Sequence, residues 1–385
     1  MGNGIVFFGI GDYGSAAVDY ALKRQIDINC IVDNDSTKWG TMYNGIVINA
    51  PEVLVDFGSE VVITASMRNR KQILRQLLDM GFVYGKNIFT CADKLNHAKL
   101  ASENFAYARE IDKGFQACKK YYVEDDKGNR FFLRISDISQ CSMARKGFEA
   151  MKKAHSLGIP TPLPIDFFEL DWGGYSLHRW SDGGDLADLM PSLKKKEQYT
   201  LGVKSGEILR KLHSIPPELN SEEWPAYLSR KLKKIIECGL QYSDNEKMLI
   251  RYVEKNLHLA RNRPVCFIHC DYSPYNILSH DNELEIIDFD TSCYGDPLYD
   301  LCITIWKANV SPRFAVGQLR EYFGGDPSEE AWSLLALYVS HHIVDRTYQM
   351  AFNVPDLLNA VRQRSSEVLF ELDNMKKTIP AWYSP

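Results

Sequence analysis

One stretch of the sequence, residues 267–300, places polar side chains at a spacing suited to phosphoryl transfer. Asp271 follows His269 by two residues and precedes Asn276 by five, and Asp288 ends the next short apolar run. A loop aspartate can accept the proton of a substrate hydroxyl, while an asparagine and a second aspartate hold magnesium on ATP. The spacing therefore predicts a catalytic base at Asp271 and metal ligands at Asn276 and Asp288. The alternative is a surface loop with scattered polar residues.

The letters of this region resemble the aminoglycoside phosphotransferase and choline kinase superfamily. The segments HCDYSPYN, IDFD and GDPLYDL are similar to that family's H-G-D-x-x-x-x-N, I-D-F/W-D/E and G-D-P-x-x-D-L. The resemblance implies a protein-kinase-like fold, ATP and Mg²⁺ as cofactors, and a small-molecule hydroxyl as acceptor. Cys270 replaces the family's glycine, so it must adopt backbone angles that glycine adopts easily. The resemblance assigns support of the loop to Gly295, Asp296, Pro297 and Asp300.

The same resemblance extends upstream and implies an ATP phosphate contact on a strand. Arg134 lies in the strand-like segment FFLRIS, where kinases carry a lysine, and its guanidinium can bind phosphate oxygens. Glu149, in the helical segment Ala144–Leu157, is the implied ion-pair partner of Arg134. The alternatives are an exposed strand arginine and a solvated helix glutamate.

A loop over the ATP phosphates is implied at Lys113–Lys119, with Lys113 and Gly114 as its candidate contacts. This segment has fewer glycines than a protein-kinase loop, and Gln116 stands where a small hydroxyl residue is common. The loop is followed by the segments Ala117–Val123 and Arg130–Ile135, which read as a β-hairpin.

The chain begins with a different pattern, a short apolar strand followed directly by a glycine turn. Ile5–Phe8 has strand length, and Ser15–Lys23 is amphipathic in the manner of a helix. Between and after them lie the residues of a dinucleotide-binding fingerprint: Gly9, Gly11, Gly14 and, about 20 residues on, Asp33. Glycine allows the backbone to approach a pyrophosphate, and the helix N-terminus supplies free N–H donors.

Strand and helix signals alternate over the first 95 residues, which predicts a parallel sheet with crossover helices. The run IVDNDSTKWGTMYNGIVINAPEVL resembles the small Rossmann-like domains of bacterial sugar-nucleotide and surface-polysaccharide enzymes. The implied ligand is a nucleotide or sugar nucleotide, and the alternative is a scaffold with an empty pocket. The matching residues are Asp33, Asn34, Asp35, Lys38, Gly40, Gly45, Val47, Pro51 and Leu54.

The expected fold class is therefore an α/β Rossmann-like domain followed by an α+β, two-lobed, protein-kinase-like domain. The expected boundaries are residues 1–95 for the first domain and 100–385 for the second, with lobes at 100–180 and 181–385. A chain of 385 residues is long enough for each domain to bury its own core.

Composition narrows the class of protein. The net charge is −5 and no basic block exceeds short runs such as Lys194–Lys196, so a nucleic-acid partner is not expected. The nine cysteines lack C-x-x-C spacing, which favours free thiols in a reducing cytoplasm over zinc or disulfides. We find neither a signal-peptide pattern nor an apolar run of membrane-spanning length, so we expect a cytoplasmic location and no membrane span.

Two functions from different classes remain open. The favoured one is a small-molecule kinase acting on an amino alcohol, a sugar or surface-polysaccharide precursor, or an aminoglycoside-like acceptor. The other is a non-catalytic pseudokinase attached to a sugar-nucleotide sensor. A dehydrogenase is disfavoured, because the first domain is half a doubly wound fold and lacks a Tyr-x-x-x-Lys pair. Candidate acceptor-site wall residues are Tyr294, Trp306, Tyr338, Asp345, Tyr348 and Gln349.

Overall fold

The computed structural model describes residues 4–56, 59–65, 67–95, 97–113, 118–218 and 223–384. The chain divides into two compact units. The first consists of Met1–Glu149 with Leu163–Trp180, and the second of Ala150–Pro162 with Ser181–Pro385.

The strands and helices of the first unit alternate at first and then give way to an antiparallel meander. The strands are β1 (Ile5–Phe8), β2 (Ile28–Val32), β3 (Met42–Tyr43), β4 (Ile46–Asn49), β5 (Val61–Ile63), β6 (Ile88–Thr90), β7 (Tyr107–Glu110), β8 (Lys119–Glu124), β9 (Arg130–Asp137), β10 (Pro164–Leu170) and β11 (Gly173–Arg179). The helices are α1 (Asp12–Lys23), α2 (Met67–Asp79), α3 (Cys91–Lys94), α4 (His97–Asn104) and α5 (Cys141–Ser156), whose last turns belong to the second unit.

The first sheet has the strand order β3-β4-β2-β1-β5-β6. Its β4, β2, β1, β5 and β6 run parallel, and β3 pairs antiparallel with β4. Phe7 and Val62 are fully buried on the central strands, which explains why these strands read as continuous apolar runs. Helix α1 begins at Asp12, three residues before the predicted start, because Gly11 already serves as its N-cap.

The second sheet is antiparallel, with the order β10-β11-β9-β8-β7. Strands β8 and β9 pair from Lys119 opposite Ile135 to Glu124 opposite Arg130, which confirms the predicted hairpin. Helix α5 follows β9 and buries Phe148, while Phe167 of β10 packs near that ring at 5.9 Å between centroids.

The two sheets of the first unit share one apolar core. The cluster joins Phe7 and Val18 of the parallel sheet and α1 to Cys141 and Phe148 of α5. Tyr20 of α1 adds a polar link at the edge of this core. Its Oη lies 2.8 Å from the carbonyl oxygen of Leu170 and 2.6 Å from that of Gly173, so one hydroxyl proton is shared between two acceptors at the β10–β11 turn.

Ion pairs surround the same junction. Lys23 Nζ lies 3.1 Å from Glu169, and Arg24 Nη2 lies 2.8 Å from Asp171. Arg145 Nε of α5 also contacts Glu169, at 2.8 Å. These pairs are partly exposed and each contributes at most about 1 kcal/mol, so the junction depends mainly on its buried core.

The second unit is mainly helical. Its strands are β12 (Gly184–Asp185), β13 (Cys266–Ile268), β14 (Ile277–His280), β15 (Glu283–Ile286) and β16 (Cys293–Gly295). Its helices are α6 (Leu186–Leu189), α7 (Lys195–Leu212), α8 (Trp224–Glu237), α9 (Asp244–Asn256), α10 (Leu298–Trp306), α11 (Pro312–Phe323), α12 (Glu329–Asn353) and α13 (Leu358–Glu371).

Helix α12 is the centre of this unit. It packs against α8, α9, α10 and α13, and its segment Leu334–Val344 is buried along its whole length. A helix that is apolar on every side is expected where neighbours cover it all round. Two short antiparallel pairs, β13–β16 and β14–β15, lie beside these helices and carry the polar loop predicted from the sequence. Across the described ranges, every helix is too short or too polar to cross a membrane.

Candidate active site

The loop between β13 and β14 is held in a backbone conformation that its sequence does not favour. Cys270 has a φ of +67°, in the left-handed region where a side chain costs roughly 1–2 kcal/mol. Asp300 of α10 supports this conformation. Its carboxylate accepts the backbone N–H of His269 at 2.7 Å and that of Cys270 at 2.6 Å. The glycine-to-cysteine departure noted in the sequence is therefore accommodated by a buried carboxylate.

Asp300 is itself fixed by a second histidine. His213, at the end of α7, places Nε2 3.0 Å from Asp300 Oδ2 and Nδ1 2.8 Å from the hydroxyl of Tyr322. Both His213 and Asp300 are shielded from solvent. His213 thus has a structural part, and the support role expected of Asp300 is confirmed by these contacts.

His269 joins the loop to the end of β15. Its Nε2 lies 3.0 Å from the carbonyl oxygen of Ile287, and its Nδ1 lies 3.3 Å from the backbone nitrogen of Asp271. Because a carbonyl can only accept and an N–H can only donate, Nε2 carries the proton and Nδ1 accepts. Because both of its ring nitrogens are hydrogen-bonded to the backbone, His269 braces the loop and is not a candidate for proton transfer.

The predicted base and amide lie together on this braced loop. Asn276 Nδ2 donates to the backbone oxygen of Asp271 at 2.9 Å and to its Oδ2 at 3.0 Å. These bonds orient the Asn276 amide and occupy one carboxylate oxygen of Asp271. Within the described residues, Asp271 Oδ1 has no protein hydrogen bond, so it can accept a proton from a bound hydroxyl.

Asp288 is brought to the same place by the pairing of β14 and β15. The backbone N–H of Ile287 donates to the carbonyl oxygen of Asn276 at 3.0 Å, which sets Asp288 beside the loop. Asp288 has φ +64°, ψ +63°, and its Oδ1 is completely shielded from solvent. A left-handed aspartate is a costly conformation, and such strain concentrates at functional sites.

The donor set of Asn276 and Asp288 fits magnesium. With both amide protons directed toward Asp271, the Asn276 side-chain oxygen points elsewhere, and it joins a carboxylate as a hard oxygen donor. Mg²⁺ commonly takes one or two protein oxygens and completes its shell with water and substrate phosphates. The described residues contain no cluster of three or more His, Cys, Asp or Glu side chains able to hold a metal.

The thiol of Cys270, in the loop, lies close to a second thiol. The Sγ atoms of Cys270 and Cys293 are 3.2 Å apart. Hydrogen bonding to Cys293 and burial raise the pKa of the Cys270 thiol well above its ordinary value. A neutral thiol is a poor nucleophile, so Cys270 is not a candidate catalytic residue.

The residues predicted to contact ATP from the first unit are only partly described. Arg134 lies on β9, half-buried, with Nε 3.3 Å from Cys118 Sγ. Lys113 is exposed, and its carbonyl oxygen accepts a hydrogen bond from Lys120 Nζ at 3.3 Å. Gly114 lies outside the described residues.

The ion pair expected between Arg134 and Glu149 is not formed in this conformation, and its part in ATP binding stays a prediction. Glu149 is exposed and forms no ion pair with any residue that the structure describes. The reason is the rotation of α5, which turns Phe148 and Ala144 into the core. The next residue, about 100° farther round the helix, then faces solvent.

The glycine turn of the first sheet is shaped as its sequence suggests. Gly9 has φ +106°, and a Cβ at Gly14 would lie 1.9 Å from the Gly9 carbonyl oxygen, so the helix approaches the turn too closely for any side chain. Gly11, the N-cap of α1, has open space around it.

Asp33 is placed at this turn but uses its carboxylate internally. Oδ2 accepts the backbone N–H of Ile10 at 2.8 Å and contacts Lys38 Nζ at 3.3 Å, and Oδ1 accepts the N–H of Asp35 at 2.8 Å. The carboxylate that completes the dinucleotide-binding fingerprint in the sequence interpretation is thus engaged in holding the turn.

Two of the candidate wall residues lie in the core, and the structure draws attention to two cations that the sequence analysis did not name. Tyr338 and Trp306 are core residues, and Tyr338 donates to Asp296 at 2.8 Å. Lys307 follows α10 and places Nζ 4.7 Å from the centre of the Tyr275 ring, on the predicted catalytic loop. Arg346 of α12 lies within electrostatic reach of Lys307. No sequence motif marks these cations, because one follows α10 and the other lies in α12.

Two family models match the chain. Residues 108–335 match the family described as "Phosphotransferase enzyme family", and residues 1–88 match one described as "C2185-like, N-terminal". The first of these matches contains the whole braced loop together with α10.

Several solved structures are similar to the chain. A choline/ethanolamine kinase family protein from Mesorhizobium loti has 18% identity and a TM-score of 0.56, over 74% of this chain and 97% of that one. Aminoglycoside phosphotransferase APH(4)-Ia has 16% identity and a TM-score of 0.57, over 72% and 98%. The amicoumacin kinase hAmiN, solved with AMP-PNP, Ca²⁺ and Ami, has 16% identity and a TM-score of 0.52, over 75% and 95%. At these identities the likeness establishes a kinase-like, two-lobed α/β fold.

Proposed function

Since the chain belongs to the phosphotransferase enzyme family, we propose that it transfers the γ-phosphate of ATP to a hydroxyl group of a small molecule. The observation that carries the proposal is the hydrogen-bonded pair of Asp271 and Asn276, on the loop in which Cys270 has left-handed backbone angles. One carboxylate oxygen of Asp271 is left for a substrate. Solved structures with the same fold include APH(4)-Ia bound to ADP and hygromycin B.

In the proposed reaction the acceptor oxygen attacks the γ-phosphorus while the bond to the bridging oxygen of ADP breaks. Asp271 Oδ1 orients the acceptor hydroxyl and receives its proton late, because a loose transition state needs little base strength. Asn276 Nδ2 holds the Asp271 carboxylate in place. Positioning of this kind supplies most of the catalysis in phosphoryl transfer.

Asn276 and Asp288 would hold Mg²⁺, which when bound neutralises charge on the phosphate oxygens. Arg134 would bind the phosphates from β9, with Lys113 and Gly114 in the covering loop and Glu149 turning inward to meet Arg134. Because Glu149 faces solvent here, the last of these contacts requires α5 to rotate or shift when ATP binds.

We further propose that residues 1–95 form a Rossmann-like domain for a nucleotide or sugar nucleotide, ahead of a kinase-like domain at 100–385. The open turn at Gly11 and the N–H donors of α1 favour an anionic group at Gly9–Gly14. Titration with UDP-glucose and with NAD⁺ tests the proposal. Binding that Gly11→Val abolishes supports it, and failure of both ligands to bind favours an empty scaffold.

The experiment for the kinase proposal measures magnesium-dependent ATP turnover by the full chain against amino alcohols, sugars, polyols and aminoglycosides, with the product mass recorded. A phosphorylated product is expected that disappears in Asp271→Ala and persists in Asp244→Ala, a control at an exposed aspartate. Failure to bind ATP would overturn the proposal.

A pseudokinase remains the second candidate, favoured by the solvent-facing position of Glu149. It predicts ATP binding without transfer to any member of the panel.

A further inference from the structure

The predicted catalytic loop has a lysine ammonium against one of its aromatic rings. Helix α10 starts beside the loop, where Asp300 holds Cys270, and ends at Lys307, whose ammonium lies over Tyr275. Tyr275 immediately precedes Asn276. The Lys307 ammonium therefore lies beside the residue that precedes Asn276 in the predicted catalytic loop.

A second helix brings another cation to the same place. The rings of Trp306 and His342 are 5.8 Å apart, which sets the end of α10 against α12. Arg346 is one turn beyond His342 on α12 and lies on the same side of that helix. Burial, followed by the charges of Arg346, Lys307 and Lys231, holds the pKa of His342 well below its ordinary value. His342 is therefore a side chain on which all three cations act.

Among the described residues, ion pairs compensate some of these cations and not others. Lys231 is paired with Asp345, at 2.9 Å. Lys307 and Arg346 are half-buried, and neither has an ion pair among residues in the described ranges. Burial lowers the pKa of Lys307, Asp271 acts in the opposite direction, and Arg346 and Arg364 lower it further. Arg364 is already compensated by Glu367 and Glu371, each at 3.1 Å.

Half-buried cations without partners are costly unless a ligand supplies the missing negative charge. A polycationic acceptor such as an aminoglycoside would meet repulsion here, whereas an anion would relieve the repulsion between Lys307 and Arg346. An arginine and a lysine together also suit a phosphate or carboxylate group, because the guanidinium binds two oxygens at once and the ammonium adds a point charge.

We infer that the acceptor of the proposed transfer is itself an anion, an alcohol bearing a phosphate or carboxylate group that binds between Lys307 and Arg346 while its hydroxyl lies at Asp271. This inference rests on the proposed function and adds the chemical class of its substrate. The product would then carry two anionic groups, the transferred phosphate and the acceptor's own phosphate or carboxylate.

The test uses sets of acceptors that differ only in charge: glycerol, glycerate and glycerol 3-phosphate, then ribitol and ribitol 5-phosphate, with choline and kanamycin as cations. The value of kcat/KM should be roughly 10- to 100-fold higher for an anionic member than for its neutral counterpart, as expected for charge-assisted hydrogen bonds. The comparison of glycerate with glycerol 3-phosphate separates carboxylate from phosphate. A preference for the neutral or cationic compounds would overturn the inference and leave the kinase proposal intact.

Variants of Lys307 separate the acceptor from ATP. Lys307→Met should raise the KM of the anionic acceptor about tenfold without changing the KM of ATP, and Lys307→Arg should restore it. Lys255→Met, at an exposed lysine of α9, is the matched control. An equal rise in the KM of ATP would assign Lys307 to the nucleotide and overturn the inference.

A binding measurement tests the inference even if the protein phosphorylates no acceptor of the panel. Glycerol 3-phosphate and ribitol 5-phosphate are titrated into the protein saturated with AMP-PNP and Mg²⁺. Binding that Lys307→Met and Arg346→Met weaken supports the inference, and absence of binding by both anions overturns it. Failure of AMP-PNP to bind would instead count against the proposed function, together with the inference that rests on it.

Discussion

Two turns of this molecule place an aspartate beside the end of a strand, and the aspartates are used in opposite ways. Asp33, in the first unit, accepts two backbone N–H groups and contacts a lysine, so both of its oxygens are occupied. Asp271, in the second unit, accepts from the Asn276 side chain through Oδ2 alone. The motif around an aspartate shows where it lies, but its tertiary contacts decide whether it remains available to a substrate.

The backbone near each aspartate differs in the same sense. The first turn has glycine at its left-handed position, Gly9, and approaches helix α1 closely at Gly14. The loop in the second unit puts Cys270 at its left-handed position and depends on Asp300 to hold it there. One turn is shaped by the lack of a side chain, and the other is maintained by a buried carboxylate.

The same substitution in the two places should separate catalysis from stability. Asp271→Asn is expected to lower kcat by about 10²–10⁴-fold, because the amide cannot take the acceptor proton, with little change in the unfolding free energy. Steady-state turnover and chemical denaturation of the same sample measure both quantities. Full activity in Asp271→Asn would remove Asp271 from the reaction.

Acid should destabilise the second unit through its buried histidines. Burial lowers the pKa of His341 to about 4, so the unfolded chain binds this proton from about pH 6.5 downward while the folded chain does not. Stability should therefore fall between pH 6.5 and 4, by up to about 1.4 kcal/mol per pH unit for such a group.

Denaturation midpoints at pH 7 and pH 5 measure this loss. His341→Gln should reduce the pH dependence, and His280→Gln, at an exposed histidine, should leave it unchanged. An equal slope in wild type and His341→Gln would contradict the prediction.

In the first unit, burial raises the pKa of Asp137. The protonated carboxyl therefore contributes stability at low pH, and this contribution is lost as the pH rises.

Asp33→Asn should show the reverse of Asp271→Asn. The amide keeps one acceptor oxygen but presents N–H groups to a backbone donor, at a cost of about 1–3 kcal/mol in stability. Turnover per folded molecule should be retained. The matched control is Asp171→Asn. Asp171 pairs with Arg24 but is itself largely exposed, so this substitution should change stability by less than about 1 kcal/mol. A drop in kcat without a loss of stability in Asp33→Asn would contradict this account.

The smallest expected effect lies at Cys270. Glycine relieves the left-handed strain, whereas a β-branched residue increases it, so Cys270→Gly should be more stable than Cys270→Val by about 1–2 kcal/mol. Denaturation midpoints of the two variants give the difference. Equal midpoints would show that Asp300 and the surrounding chain, and not residue type, determine this conformation.

Patterns that are local in the sequence were predicted well. Strand β1 has the expected bounds, and the loop carrying Asp271 and Asn276 has the expected arrangement, because short spacings determine these features. The orientation of Glu149 was not predicted, since helical periodicity gives the buried face of α5 only when its packing partners are known.

Features assembled from distant segments had no sequence signal. Arg346 influences Lys307 because α10 packs against α12, and neither residue lies in a recognisable motif. The contact of Tyr20 with the β10–β11 turn links residues about 150 positions apart, and amphipathicity of α1 indicates a buried face without naming what covers it.

That contact determines where the chain can be cut. The break between the two family matches, residues 88 and 108, is an obvious place to express the kinase half alone. Yet removal of α1 would uncover Cys141, Phe148, Phe167 and the half-buried Trp172, which share its core. A fragment starting near residue 100 would therefore expose an apolar surface that promotes aggregation. Poor solubility of such a fragment would reflect the loss of half of this core, and would say nothing about the active site.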